Sequence, residues 1–137
     1  MKLLVLSGGR HPYEESTPIL DRFLQEAGHD VLVTEDSSIL ADKGKMSEFD
    51  SIVFNTRREN LPDFKPLAFN DAERNGITEY ISNGGGFVCI HISTCVTETW
   101  PEYHDITGGG WITGTSFHPP YGRFTVNVSN KNHPAVA

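Results

Sequence analysis

Hydrophobic residues fall into short blocks separated by polar or glycine-rich breaks. Lys2 to Leu6 is a continuous apolar run that stops at Ser7-Gly8-Gly9, the pattern of a strand buried on both faces. Thr17 followed by Pro18 reads as an N-cap with proline at the first helical position. Ile19, Leu20, Phe23, Leu24 and Ala27 then recur at helical spacing, and Gly28 supplies the stop. Val31 to Thr34 reads as a second strand and Ser51 to Asn55 as a third. A polar, proline-containing loop runs from Thr56 to Phe69, roomy enough to border a site.

Asn70 and Glu73 have the spacing of a capping box, and Ile77, Tyr80 and Ile81 give the helix behind them an apolar face. Gly76 interrupts that helix, at a cost of about 1 kcal/mol against alanine. Gly84-Gly85-Gly86 ends it, and Phe87 to His91 forms a fourth strand. Ser93 to Gly122 follows as a long segment without periodicity, too rich in Trp, Tyr and Phe to read as disordered. Phe124, Val126 and Val128 alternate with polar residues, which predicts a last strand with one wet face.

Strands alternating with helices predict an α/β fold, a doubly wound, mostly parallel sheet with right-handed crossovers. Residue 137 comes nine positions after the last predicted strand with no helix to cover it, so residues 1–137 are expected to be one partial domain with a C-terminal portion missing. An uncovered sheet face or edge would favour a homo-oligomer.

Charge narrows the partners. The formal net charge is −7, with 11 basic residues that are scattered apart from the adjacent pair Arg57-Arg58. Phosphate backbones and anionic membranes require clustered Lys and Arg, so neither nucleic acid nor a membrane surface is expected. The apolar core of the N-terminus, Leu3 to Leu6, is too short for a signal peptide. Cys89 and Cys95 make no disulfide framework, and a cytoplasmic protein is the simplest expectation.

Candidate chemistry gathers beyond the strand ends, where open α/β sheets bind their ligands. Ser7, Gly8, Gly9, Arg10 and His11 follow the first strand, and Asn55, Thr56, Arg57 and Arg58 the third. His91, Ser93 and Thr94 follow the fourth, and His118 lies in the long aromatic segment. The first loop has neither GxGxxG nor GxxxxGK[ST], so no nucleotide cofactor is expected. Three histidines from separate loops could hold a divalent metal such as Zn²⁺ with one open position, although no HxH, HExxH or CxxC spacing supports it. Without a metal they could act as general acid and base. Arg10 and Arg57 could bind a carboxylate or sugar hydroxyls. Trp100, Trp111 and Tyr121 could stack on a sugar ring or pack as core and lid. His29 reads as a helix-dipole partner, Cys89 as a buried small hydrophobe, and Cys95 as a thiol that a helix N-terminus could activate.

The stretches SGGRHPYEESTPIL, GHDV, TED, FNTRRE, GGGFVCIHIS, WPEYHDITGGGWITGTSFHPPYG and NHP together resemble the trehalose-utilisation (ThuA-like) family over nearly the whole chain. The resemblance implies a flavodoxin-like architecture of the class I glutamine amidotransferase superfamily. In true amidotransferases a cysteine occupies the elbow G-x-C-x-G, whereas the corresponding residues here are Cys89-Ile90-His91-Ile92-Ser93. Histidine stands in the nucleophile position, so glutamine hydrolysis through a thioester is not expected. The resemblance implies instead a role in carbohydrate utilisation, acting on trehalose-like or keto-disaccharide sugars. On this reading His91 is the central catalytic group with His11 and His118 as partners. Arg10, Asn55, Arg57, Ser93 and Trp111 bind the sugar, and His11, His91 and His118 are the metal candidates. The alternative is a non-catalytic sugar-binding or interaction module on a scaffold that has lost its cysteine.

Overall fold

The computed structural model describes residues 1–95, 100–112 and 114–136. Four strands, β1 (Lys2–Gly9), β2 (Asp30–Thr34), β3 (Ser51–Arg57) and β4 (Gly86–Cys89), form one parallel sheet in the order β2-β1-β3-β4. Leu4 pairs with Leu32 on one side and Ile52 on the other, which places β1 and β3 in the interior. Both therefore read as unbroken apolar runs, because each is covered on two faces.

Alternate residues of these strands serve different layers. Leu4, Leu6, Ile52 and Phe54 point into the main core, where Leu40, Phe69, Ile77, Trp100 and Tyr103 meet them. That layer is built from α3 (Asp71–Ser82), the 3₁₀ turn Ser37–Ala41, α2 (Lys43–Met46) and α4 (Tyr103–Thr107). Asn70 caps α3 through the predicted reciprocal box: its side chain accepts from Glu73 N–H, and the Glu73 carboxylate accepts from Asn70 N–H. Gly76 has a packing reason. A Cβ there would lie 1.8 Å from the Leu40 carbonyl oxygen, so α3 approaches the 3₁₀ turn only because residue 76 has no side chain.

The opposite face carries α1 (Tyr13–Glu26). This helix starts four residues before the expected Thr17 cap, at Tyr13 behind Pro12, and Pro18 lies inside it. Glu14 and Glu15 in its first turn complement the helix dipole. Thr17 does not cap; its hydroxyl bonds Ser7 and accepts from the Asn55 amide, tying helix to sheet. The apolar stripe is also less covered than its spacing predicts, since Ile19 and Phe23 are exposed while Leu20 and Leu24 are half-buried.

Two further expectations are corrected. Strand β4 ends at Cys89, and His91 opens a 3₁₀ turn (His91–Thr94) instead of closing the strand. Phe124, Val126 and Val128 form no strand; they are exposed and unpaired with any of the four. Alternation signals a wet-faced strand only where a neighbouring strand supplies the ladder, and among the described residues none reaches this segment.

Candidate functional site at the carboxyl edge of the sheet

Strand order reverses between β1 and β3: the chain steps outward from β1 to β2, then returns past β1 to β3. The crevice at such a reversal is where open α/β sheets place ligands. Gly8 and Gly9, with φ of 84° and 107°, keep β1 paired with β3 at Thr56 and Arg57, and the chain turns at Arg10 and His11. A Cβ on Gly9 would sit 2.1 Å from the Arg57 carbonyl oxygen, the same oxygen that accepts from Arg10 N–H at 2.9 Å. The turn thus delivers His11 over the end of β3 toward β4.

His91 meets it there. The two imidazoles stand edge to face with centroids 5.3 Å apart, and Tyr13 packs on His11 at 5.4 Å. His91 has φ +52°, a left-handed conformation that costs a non-glycine residue on the order of 1–3 kcal/mol. A strained residue at a strand-to-helix turn projects its side chain over the end of the sheet. The side chain presented by this turn is an imidazole. The His11 pKa is lowered, first by desolvation and then by the nearby charges of His91 and Arg57.

Beneath the pair lies a set of buried polar groups. Ser93 Oγ donates to Phe54 O at 2.8 Å and accepts from Thr56 N–H at 2.9 Å, while the Tyr103 hydroxyl donates to the Ser93 carbonyl at 2.8 Å. Arg57 is paired with Glu59, whose other carboxylate oxygen lies 3.8 Å from Cys95 Sγ. Arg58, also buried, donates to the Thr56 hydroxyl at 3.2 Å, to the Ser37 hydroxyl at 3.2 Å and to the Ser7 and Glu35 carbonyls. Arg10 donates to the carbonyls of Glu59 and Lys65 and stacks on Phe64. Burial lifts the Tyr13 phenol to about 12, and its buried hydroxyl has no partner among the described residues.

The expected site residues therefore separate into groups. His11 and His91 come together, with Arg57 close enough to bias the titration of His11. Asn55 and Ser93 stand beneath that edge, but their side chains are engaged: the Asn55 amide donates to Ser16 and Thr17, and the Ser93 hydroxyl bridges two backbone groups of β3. Arg10 is likewise engaged with the loop that follows β3. His118 and Trp111 pack on each other at 5.8 Å in a segment that follows α4, where His118 is exposed. Among the described residues no three His, Cys, Asp or Glu groups stand close enough to share a metal ion, so His118 does not join the other two histidines.

The aromatics divide similarly: Trp100 is buried against Tyr103 at 4.7 Å, and Tyr121 is fully exposed. Cys95 is corrected. It closes the 3₁₀ turn, and burial with the adjacent Glu59 carboxylate raises its pKa instead of lowering it. Cys89 is half-buried, with its thiol 3.1 Å from the Tyr103 hydroxyl. Residues 96–99 and Thr113, part of the long aperiodic segment, lie outside the described residues.

Sequence reasoning placed Arg58 at this edge but missed Tyr13 and Glu59. A glutamate next to two arginines reads as a solvated charge run, and only the fold shows that Arg58 and Glu59 are turned inward.

Comparison with known proteins now decides the family. The model of the trehalose-utilisation family (ThuA) matches residues 2–137. The chain belongs to that family. A crystal structure of a ThuA-like protein from Parabacteroides merdae superposes with a TM-score of 0.58 at 24% identity, covering 80% of this chain. The chain spans 39% of the length of that structure, and the likeness bears on fold alone. No curated protein matches. The four-stranded parallel sheet flanked by helices is consistent with the flavodoxin-like fold. No described helix is long and apolar enough to cross a membrane.

Proposed function

We propose that this trehalose-utilisation protein performs histidine-centred acid–base chemistry on a trehalose-like or keto-disaccharide sugar at the carboxyl edge of β1, β3 and β4. The observation that carries the proposal is the edge-to-face contact of His11 and His91 at 5.3 Å, with His91 held at positive φ on the turn after β4. Strain of this kind concentrates where a side chain must be held in place for chemistry.

His11, biased toward the neutral form, is suited to accept a proton from a sugar hydroxyl or from a carbon beside a keto group. His91, in edge-to-face contact with it, is the second imidazole at the same edge and would supply the returning proton. Isomerisation, hydration and glycosidic cleavage all need this paired transfer. A metal-assisted form, with a divalent ion such as Zn²⁺ on the same histidines, would need ligands beyond these two. Metal content of the purified protein tests that variant of the reading.

The experiment is turnover of trehalose and a keto-disaccharide by the purified chain and by His11→Ala and His91→Ala, with far-UV circular dichroism to show folding. Loss of about 10²–10⁴-fold in kcat is expected for each variant, the usual worth of a general acid or base. Full turnover in a folded His91→Ala protein would end the catalytic reading. Sugar binding without turnover in the unaltered chain would favour the binding-module alternative.

A further inference from the structure

A second cavity adjoins the histidine pair, on the β2 side of β1. It has a volume of about 520 Å³, within the range of about 300–1,000 Å³ usual for small-molecule sites. Its wall includes His11, the carboxylate residues Glu14 and Glu35, and the hydroxyl residues Ser7, Thr17 and Thr34. Tyr13 also lines it, 5% exposed and with an unpartnered hydroxyl. His11 thus belongs both to the imidazole pair and to this wall.

The lining contains no lysine or arginine. The three arginines of the neighbouring edge are each turned to the protein itself: Arg10 to two carbonyls, Arg57 to Glu59, and Arg58 to two hydroxyls and two carbonyls. A phosphate or carboxylate placed here would face two negative side chains, with no lysine or arginine in the lining to pair with it. Carboxylates are strong acceptors and leave a hydroxyl to donate. The wall therefore suits a polyhydroxyl ring that bears no charge.

We propose that this cavity is the subsite for the second ring of a neutral, non-phosphorylated disaccharide, with Glu14 and Glu35 accepting hydrogen bonds from its hydroxyls. The proposal rests on the sugar chemistry assigned above and adds the charge state of the substrate and the residues that select it. Glycine at position 8 belongs to the same device. Its φ is +84°, and a Cβ there would crowd the Glu35 carboxyl carbon at 3.0 Å, so the bare backbone lets Glu35 lie along the cavity wall.

Isothermal calorimetry with trehalose and with trehalose 6-phosphate tests it, on the unaltered chain and on Glu14→Gln, Glu35→Gln and the double variant. Both glutamates are exposed, so the near-isosteric replacements leave the core intact. Trehalose should bind the unaltered chain, each single variant should weaken it about tenfold through loss of a charge-assisted hydrogen bond, and the phosphorylated sugar should show no saturable binding. The double variant should narrow the gap between the two sugars. Equal or tighter binding of the phosphorylated sugar, unchanged trehalose affinity in the double variant, or failure of trehalose to bind the unaltered chain would each overturn the proposal. Binding that depends on the two glutamates in a chain without turnover would leave the subsite standing and remove only the acid–base reading.

Discussion

Replacing Ser93 with alanine should destabilise the protein far more than the loss of one hydroxyl from a short turn suggests. The Ser93 hydroxyl lies where β4 has already ended, and it continues the pairing of β3 by side chain instead of by strand. Phe54 O accepts from Ile90 N–H at 2.9 Å and from Ser93 Oγ at 2.8 Å, so it keeps one partner after the substitution. Thr56 N–H has Ser93 Oγ at 2.9 Å and is buried, so it would be left without one. A stranded buried donor costs about 1–3 kcal/mol and the weakened acceptor about 0.5–1.5 kcal/mol more, for a sum of about 2–4 kcal/mol.

The assay is urea unfolding, read as a shift in midpoint at constant slope. At about 4 °C per kcal/mol for a chain of this size, the thermal midpoint should fall by about 8–16 °C. Ser82→Ala is the internal control: its hydroxyl bonds Thr78 O at 2.7 Å on the exposed side of α3, and such surface changes usually stay within about 0.5 kcal/mol. A Ser93→Ala loss below about 1 kcal/mol, with unchanged slope, would refute the claim that this hydroxyl closes the end of the sheet.

Other outcomes follow from the same geometry. His11 should titrate below the ordinary histidine value of 6.5, and His91→Ala should bring it part of the way back, because the His91 charge ranks second to desolvation among the causes. A folded-state pKa below the unfolded one means that this group's stabilisation is complete above about pH 6.5 and is lost as pH falls through the folded value. Imidazole proton resonances followed from pH 4 to 8 check it, and a titration at or above the ordinary value would refute it. Gly76→Ala should destabilise by more than the roughly 1 kcal/mol that helix propensity would return, since its Cβ meets the Leu40 carbonyl at 1.8 Å; a stabilised variant in urea would show that α3 can shift away freely. Both cysteines have raised pKa values, with burial as the leading cause, so a colourless aromatic disulfide reagent should label the native chain at pH 7 much more slowly than the chain in urea. Rapid release of one equivalent of chromophore from the folded protein would contradict this.

Much of the scaffold was legible because its signals are local or periodic. The apolar runs of β1 and β3, the Asn70–Glu73 box and the glycine break after α3 each depend on a few neighbouring residues and appear at or near their expected places, whereas the break expected at Ser7-Gly8-Gly9 is part of β1. Errors arose where a local signal had two structural uses. Thr17-Pro18 has the form of a helix start, yet Thr17 is a tie between α1 and the sheet, and the helix begins behind Pro12. The alternation at 124–128 has the form of a strand but has no partner among the described residues.

The site was legible in a different measure, because strand order fixes where side chains arrive and leaves open what they bind. Sequence could bring His11, Arg57 and His91 to one edge, since each follows a parallel strand. It could not show that Arg10 and Arg58 would be engaged by groups of the chain itself, because Glu59 and Lys65 reach Arg10, and Ser37 and Glu35 reach Arg58, only through the fold. That difference changes the chemistry assigned. Three free arginines would make an anion site, whereas three engaged ones leave a pair of imidazoles beside a cavity with two carboxylates in its wall. The turn after β4 holds His91 at positive φ, and it is this fixed placement beside His11 that the proposed proton transfer would use.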